Sequence, residues 1–177
     1  MKRVVLSFIV FSITCIIYCQ NISIVLNNKP NANIVVLDRT NETLNEIAND
    51  LSDYIFKITK ARINIMNHLN PNKINIIIDT QFEGINYQYE LLDEDGFIIK
   101  TSGKNIVISG KSDYGTEYGV YDFLERFLGV RWLMPTELWT ETPTMNNFIL
   151  SEIDIEENPM FLSRSFFNVN IQNRDIH

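Results

Sequence analysis

The residues best suited to chemistry by type and spacing are three adjacent carboxylates, Asp93, Glu94 and Asp95, in the stretch LLDEDG at 91–96. Such a group could hold a calcium ion or supply an acid and a base. Hydrolysis of a glycosidic bond, however, needs two carboxyl groups that face each other across a sugar, about 5 to 10 Å apart. Neighbouring acids before a glycine are more typical of a solvated turn that leads into a strand. We predict such a turn here.

A second candidate is the stretch SGKS at 109–112, which is similar to the end of a nucleotide phosphate loop. That loop needs a glycine five positions before the Gly of its Gly-Lys-Ser, and in this chain the position is Asn105. Phosphate binding is therefore not expected. Gly115 and Gly119 are better explained as a flexible start of a helix and as a place where the helix backbone comes close to a sheet.

The remaining candidates are isolated residues. His68 and His177 lie apart from any second His, Cys or carboxylate at metal-ligand spacing, so we expect no metal and no other cofactor. A serine nucleophile is not supported, because the Gly-x-Ser-x-Gly elbow is missing from the sequence. Trp132, which follows Arg131, could stack on a sugar ring, although packing in the core is the more ordinary role. Arg164 lies in an otherwise apolar, strand-like run, where a charged side chain needs a partner.

These residues are positioned by a β-rich chain with two predicted helices. Short runs rich in β-branched residues predict strands at 22–26, 33–38, 62–66, 73–79, 130–135 and 147–155, and a hairpin at 95–110. The first two strands flank a turn. Apolar residues at helical spacing predict a first helix with Leu44, Leu51 and Ile58 on its buried side. A capping residue at Thr43, or one turn earlier at Thr40 or Asn41, would start it.

The second helix is apolar over more of its circumference than the first. It is predicted from about Tyr114 to Leu128 and ends before Gly129, a residue that favours helix termination. One face consists of Thr116, Gly119, Val120, Phe123, Leu124 and Phe127, and a neighbouring face consists of Tyr114, Tyr118, Tyr121 and Leu128. A helix of this kind is normally covered on more than one side. We therefore expect the face with the tyrosines to pack against something outside this domain.

Four ordered stretches together resemble the N-terminal α/β domain that precedes the catalytic barrel in α-glucuronidases, bacterial β-hexosaminidases and related glycoside hydrolases. They are ITKARINI (58–65), DGFIIKTSGKNIVISG (95–110), YGTEYGVYDFLERFLGVRWLMP (114–135) and NPMFLSRSF (158–166). The resemblance covers about residues 22–167, and the second helix with LGVRW is its most specific part. It implies an α+β fold of two layers, in which a mostly antiparallel β-sheet is covered by two main helices.

The resemblance also implies a division of the chain and a partner. Residues 20–158 would form the accessory domain, and 159–177 would begin a truncated catalytic barrel or a linker. In the family the general acid and its carboxylate partner lie on later barrel strands, so no catalytic residue is expected here. The implied partner is the (β/α) barrel of the same parent chain, which would cover Tyr114, Tyr118, Tyr121 and Leu128.

The resemblance leaves two site residues and one alternative to consider. Arg164 matches an arginine at the barrel entrance that can contact sugar in hexosaminidases, and Trp132 is the second possible substrate contact. The first helix departs from the family pattern at Lys60, where glycine is usual and would be the preferred helix stop. The alternative is a free-standing carbohydrate-binding module, with Trp132, Trp139 and nearby tyrosines as the platform, or a protein-docking module whose aromatic face binds another subunit.

The N-terminus has the pattern of a signal peptide. Lys2 and Arg3 precede about fifteen mostly apolar residues, a run shorter than the roughly 20 needed to cross a membrane. We predict a signal peptide at 1–19, export to the periplasm or the extracellular space, and no membrane span after its removal. Cleavage after Cys19 would leave a chain without cysteine, whereas lipidation of Cys19 or Cys15 would anchor the protein at the cell surface.

Composition limits the remaining possibilities. The chain has 177 residues, of which 45% are hydrophobic and 21% charged, which suits one globular domain better than two. Its formal net charge of -7 comes from acids spread over the whole length. Because phosphate recognition needs a basic face, we expect no nucleic acid partner.

Overall fold

The computed structural model describes residues 21–133 and 140–159. The predicted signal peptide, Cys19, Trp139 and Arg164 lie outside these residues, as does the predicted start of a barrel apart from Pro159. Within the described part of the chain, no helix is both long enough and apolar enough to cross a membrane.

The described elements are two helices, α1 (Glu42–Thr59) and α2 (Asp113–Leu128), a short 3-10 helix (Tyr89–Leu91), and strands. The strands are β1 (Ile22–Leu26), β2 (Lys29–Pro30), β3 (Ala32–Val35), β4 (Asn64–Met66), β5 (Ile74–Thr80), β6 (Phe97–Ser102), β7 (Asn105–Gly110), β8 (Arg131–Trp132), β9 (Thr140–Glu141), β10 (Phe148–Leu150) and β11 (Asp154–Glu157).

The main sheet has six strands in the order β11-β6-β7-β5-β3-β4. Its centre and one edge are parallel, because β3 pairs in parallel with β4 and β5, and β5 with β7. The other edge, β7-β6-β11, is antiparallel. Two small antiparallel sheets, β10-β1-β2 and β8-β9, complete the described pairings, of which five are antiparallel and three parallel. The predicted α+β class with two main helices is confirmed, and the six-stranded sheet that the helices cover is mixed, with three parallel and two antiparallel pairings.

Helix α1 begins at the earlier of the predicted starts. The side chain of Asn41 accepts a hydrogen bond from the amide of Leu44 at 3.1 Å, which satisfies one of the free donors at the helix N-terminus. The apolar stripe predicted from the sequence is buried. The helix ends at Lys60, which adopts the left-handed conformation at φ 60°.

Both helices pack on one face of the main sheet. The core there unites Leu51 and Ile55 of α1 with Phe123 of α2 and with Ile76 and Ile108 of the sheet. The opposite face is covered by the segment between β5 and β6, through Phe82, Tyr89 and Leu92. The helices and the main sheet are thus two layers, with loop structure behind the sheet.

Gly119 brings α2 against the sheet as predicted. A methyl group built at this glycine would lie 3.0 Å from Cγ2 of Ile108 and 3.2 Å from the ring of Phe97. A larger residue would therefore push the helix away from β6 and β7.

The strands predicted at 22–26 and 33–38 belong to different sheets. Asn27 and Asn28 both have positive φ, at 50° and 60°, which a two-residue hairpin of type I′ requires. This turn pairs β1 with β2 in a small sheet, and the chain then enters the main sheet as β3.

The prediction of one strand at 147–155 is wrong. Residues Phe148–Leu150 pair with β1, whereas Asp154–Glu157 pair with β6 in the main sheet. Leu150 is buried in the core, and the exposed pair Ser151 and Glu152 separates the two strands. The composition of the run is compatible with one strand or two, so the available pairing partners decide between them.

Candidate functional site

The acidic stretch at 91–96 is the predicted turn, and it packs on the first turn of α2. The amide of Gly96 donates to the carbonyl of Asp93 at 2.9 Å, and the chain then enters β6. The Lys111 ammonium donates to the Leu92 carbonyl at 2.8 Å, and the Ser112 hydroxyl donates to the Glu94 carbonyl. The described residues contain no group of three His, Cys, Asp or Glu side chains that could hold a metal ion.

The stretch SGKS also has structural roles. The buried hydroxyl of Ser109 accepts a hydrogen bond from the amide of Phe82 at 3.0 Å. Ser112 is the N-cap of α2, and its side chain accepts from the amide of Gly115 at 3.2 Å. Because Lys111 is bound to the turn at 91–96, the stretch offers no free cradle for a phosphate.

The face of α2 that carries the tyrosines divides into exposed and packed residues. Tyr114 is 69% exposed and Tyr118 is 50% exposed. Tyr121 is half-buried between the two helices. Leu128 has no exposed surface, because it joins the main core with Leu124 and Val130. The surface that a partner could cover is therefore smaller than predicted, and Leu128 does not belong to it.

Tyr121 belongs to an aromatic cluster with Tyr54 of α1 and Trp132 of β8. The Trp132 ring meets the Tyr54 and Tyr121 rings edge to face, with centroids 5.8 Å and 5.5 Å away. Its Nε1 donates to the Tyr54 hydroxyl at 3.1 Å. The Tyr121 hydroxyl donates to Asp50 Oδ2 at 2.9 Å. Burial, followed by this bond to Asp50, raises the pKa of Tyr121 well above its usual value, so its hydroxyl stays protonated and able to donate.

A groove of about 550 Å³ runs beside this cluster, between α2 and the end of β11. Its aromatic walls are Phe97, Tyr118, Tyr121 and Trp132, and its carboxylates are Asp95, Asp122, Glu125 and Glu157. The groove thus combines exposed aromatic surface with negative charge. Local sequence patterns do not predict this groove, because its residues come from three separate parts of the chain.

Arg126 holds two of the groove carboxylates. Its Nε lies 2.8 Å from Oδ1 and 2.6 Å from Oδ2 of Asp122, one helical turn earlier, and a terminal nitrogen lies 2.6 Å from Oε1 of Glu157. The bond to Asp122, more than that to Glu157, raises the pKa of Arg126 above its usual value. The i, i+4 spacing of Asp122 and Arg126 was the signal available in the sequence for this part of the site.

The other two carboxylates of the groove differ in their partners. Glu125 lies 3.2 Å from the guanidinium of Arg131. Asp95 has no ion-pair partner among the described residues. The arrangement can therefore bind a partner with apolar and cationic groups. Three of its four carboxylates already have an arginine as ion-pair partner.

Solved structures with a similar fold are much longer proteins. A family GH115 4-O-methyl-α-glucuronidase with specificity for decorated arabinogalactans has a TM-score of 0.61 and 19% identity, covering 76% of this chain and 18% of that one. The GH20 β-N-acetylhexosaminidase from Streptomyces coelicolor A3(2) has a TM-score of 0.51 and 16% identity, covering 79% and 24%. The N-acetyl-β-hexosaminidase of Streptomyces plicatus has a TM-score of 0.50 and 14% identity, covering 73% and 22%. At these identities the likeness concerns the fold.

A comparison with curated proteins gave no match. Among family models, the glycosyl hydrolase family 67 N-terminus matches residues 23–123, from β1 into α2. Since this match spans more than half of the sequence, the chain belongs to the glycosyl hydrolase family 67 N-terminus family.

Proposed function

We propose that this chain is the non-catalytic N-terminal domain of a longer, secreted glycoside-hydrolase-like protein that degrades polysaccharides or glycans. The observation that carries the proposal is the match of residues 23–123 to the glycosyl hydrolase family 67 N-terminus. The chain spans less than a quarter of each solved structure described above, which is consistent with a domain of a larger protein.

The partner is a catalytic (β/α) barrel in the same parent chain, and the docking surface includes Tyr114 and Tyr118. Both side chains lie at least half exposed on one side of α2. Exposed aromatic residues that adjoin a groove are typical of surfaces that another domain covers. The domain supports the barrel and forms part of the rim of its substrate cleft.

The contacts of the groove support a non-catalytic role for this domain. Asp122 and Glu157 share Arg126, and Glu125 is paired with Arg131. An acid and base pair needs carboxyl groups that are free to face a substrate, whereas these three carboxylates are held by arginines. Trp132 is engaged by Tyr54 and Tyr121, which supports a packing role for this residue.

Reading the encoding DNA downstream of the codon for His177 tests the proposal directly. We expect an open reading frame that continues in frame and encodes a (β/α) barrel with a pair of catalytic carboxylates. A stop codon directly after His177 would contradict the proposal. A continuation without the hydrophobic alternation of barrel strands and helices would contradict it as well.

Export is a separate part of the proposal and has its own test. The charged and apolar pattern of residues 1–19 supports secretion through a signal peptide. N-terminal sequencing and mass spectrometry of the protein from its native host should show a chain that begins near Gln20, or a lipid on Cys19. A full-length chain that retains Met1 in the cytoplasm would contradict export.

A further inference from the structure

The chain leaves the described domain at the rim of the groove. Strand β11 pairs antiparallel with β6, and the last pair in register is Glu157 with Phe97. The side chain of Asn158 continues this contact, because its Oδ1 accepts a hydrogen bond from the amide of Asp93 at 2.7 Å. Continuing the register places Pro159 level with Asp95, and both residues line the groove.

Asp95 is the groove carboxylate that can accept a further cation. It is partly buried, and none of the described residues forms an ion pair with it. The groove has four carboxylates and one guanidinium, so its lining is negative. Beside the carboxylates, Tyr118 and Trp132 offer partly exposed aromatic surface. A fitting occupant has apolar side chains and a single positive charge.

The segment that directly follows Pro159 has this chemistry. Residues 160–167 read MFLSRSFF, in which five side chains are large and apolar and Arg164 is the sole charged residue. Arg164 lies five positions after Pro159. The Cα atoms of the two residues are therefore at most about 18 Å apart, even in a fully extended chain. Because Pro159 lies level with Asp95, the segment is long enough to turn back and bring the Arg164 guanidinium to Asp95.

We propose that residues 160–167 dock in the groove between α2 and β11, with Arg164 paired to Asp95 and the apolar side chains on Tyr118 and Trp132. The inference deepens the proposed function and rests on it, because the segment that leads into the barrel is then the first part of the partner to cover the groove. The pairing also supplies the partner that a charged residue in an apolar run requires, and it is the alternative to the sugar contact that the family resemblance implies for Arg164.

Hydrogen exchange of the full chain, read by mass spectrometry, tests this docking. The amides of residues 160–167 should exchange at least about tenfold more slowly than in a free peptide of the same sequence. Asp95→Lys should remove most of this protection, and the double variant Asp95→Lys/Arg164→Asp should restore it by reversing both charges. Asp93→Lys is the matched control, because Asp93 is exposed in the same turn and does not line the groove.

Three outcomes would overturn the inference: exchange at the rate of the free peptide, protection that Asp95→Lys leaves unchanged, or protection that appears only in a longer chain. Protection that rises with protein concentration would also overturn it, since a second copy would then be the occupant. If Asp95→Lys unfolds the domain, Tyr118→Lys at a half-exposed position provides a second test, because it removes the ring and places a positive charge beside the proposed position of Arg164. The exchange experiment tests the docking, and the DNA sequence after the codon for His177 tests the proposed function. Either result can be negative while the other is positive, so the two proposals are distinguishable.

Discussion

At the scale of single residues, Lys60 adopts a backbone conformation that suits glycine better than lysine. It ends α1 with φ 60°, and its amide donates to the carbonyl of Phe56 at 2.8 Å. A residue with a Cβ atom is strained in this left-handed region, whereas glycine is not. The side chain compensates in part, because Nζ donates to the Lys57 carbonyl at 3.0 Å. The departure from the family pattern noted in the sequence thus has a structural cost.

We expect Lys60→Gly to stabilise the domain by about 0.5 to 1 kcal/mol, because relief of the strain exceeds the entropy that glycine adds to the unfolded chain. Chemical denaturation of the two proteins measures the difference. Lys60→Ala is the control, since it loses the same side-chain hydrogen bond and keeps the Cβ atom. Equal stability of the Gly and Ala variants would contradict the explanation.

We expect the stability of the domain to depend on pH through Asp79, which lies at the carboxyl end of β5. Burial raises its pKa above the usual value, and the negative charges of Asp38 and Asp113 add to this, against a hydrogen bond from the Thr80 amide. The raised pKa means that the charged carboxylate is less favourable in the folded protein than in the unfolded chain. The free energy of unfolding therefore falls as the pH rises from the unfolded pKa through the folded pKa.

Asp79→Asn should therefore raise the melting temperature at pH 7, because the asparagine side chain carries no charge to be disfavoured by burial and by Asp38 and Asp113. The gain should shrink as the pH falls, and disappear below the unfolded pKa near 3.8. The asparagine oxygen can still accept from the Thr80 amide, so the comparison isolates the charge. Thermal unfolding of both proteins between pH 3 and pH 7 gives the measurement, and a gain independent of pH would contradict the assignment.

At the scale of elements, the N-terminus of α2 is joined to the sheet by one buried hydroxyl. Thr116 Oγ1 accepts from the amide of Gly110 at 3.0 Å and lies 3.2 Å from the carbonyl of Asp79. Asp113 extends this junction, because it accepts from the Thr80 hydroxyl at 2.6 Å and from the Asn41 side chain at 3.0 Å. Strand β5, strand β7 and both helix starts are connected at this edge of the sheet.

Thr116→Val should destabilise the domain by about 1 to 3 kcal/mol, because it keeps the shape of the side chain and removes a buried hydroxyl that bonds to the Gly110 amide and lies beside the carbonyls of Asp79 and Ser112. Thr116→Ser keeps the hydroxyl and should cost less, about 1 kcal/mol for the lost methyl group. Urea denaturation compares the two. A serine variant less stable than the valine variant would show that packing, not the hydrogen bond, dominates at this position.

The elements also show what local pattern can predict. Both helices and the hairpin at 95–110 follow from apolar periodicity and from turn residues close in sequence, which the structure confirms. The break between β10 and β11 does not follow from them. It depends on β1 and β6, strands that lie far away in sequence and compete for the same β-rich run.

At the scale of the whole molecule, the tyrosines of α2 have two different roles. Tyr121 connects α2 to α1 and β8 through Asp50 and Trp132. Tyr114 and Tyr118 extend into solvent in this chain. The first role stabilises the domain by itself, and the second requires the partner that we propose.

Tyr118→Ser should leave the stability of this chain within about 0.5 kcal/mol of the wild type, as at other exposed positions. Tyr121→Ser should cost about 2 kcal/mol, because it removes ring packing against Trp132 and the bond to Asp50. Denaturation of the single chain measures both. In the proposed longer protein, Tyr118→Ser should in addition lower the midpoint of domain separation, and an unchanged midpoint there would remove Tyr118 from the interface.

By itself the sequence determined the class of the fold, the family resemblance and the two helices, because apolar periodicity and turn residues act over a few neighbouring positions. Tertiary structure alone decided that Leu128 is buried while Tyr118 is exposed, although both lie on the same predicted helix face. It also decided that Asp95, Asp122 and Glu157 line one groove. Burial and charge pairing depend on which distant segments meet, and that depends on how β6 pairs with β11 and how α2 crosses the sheet.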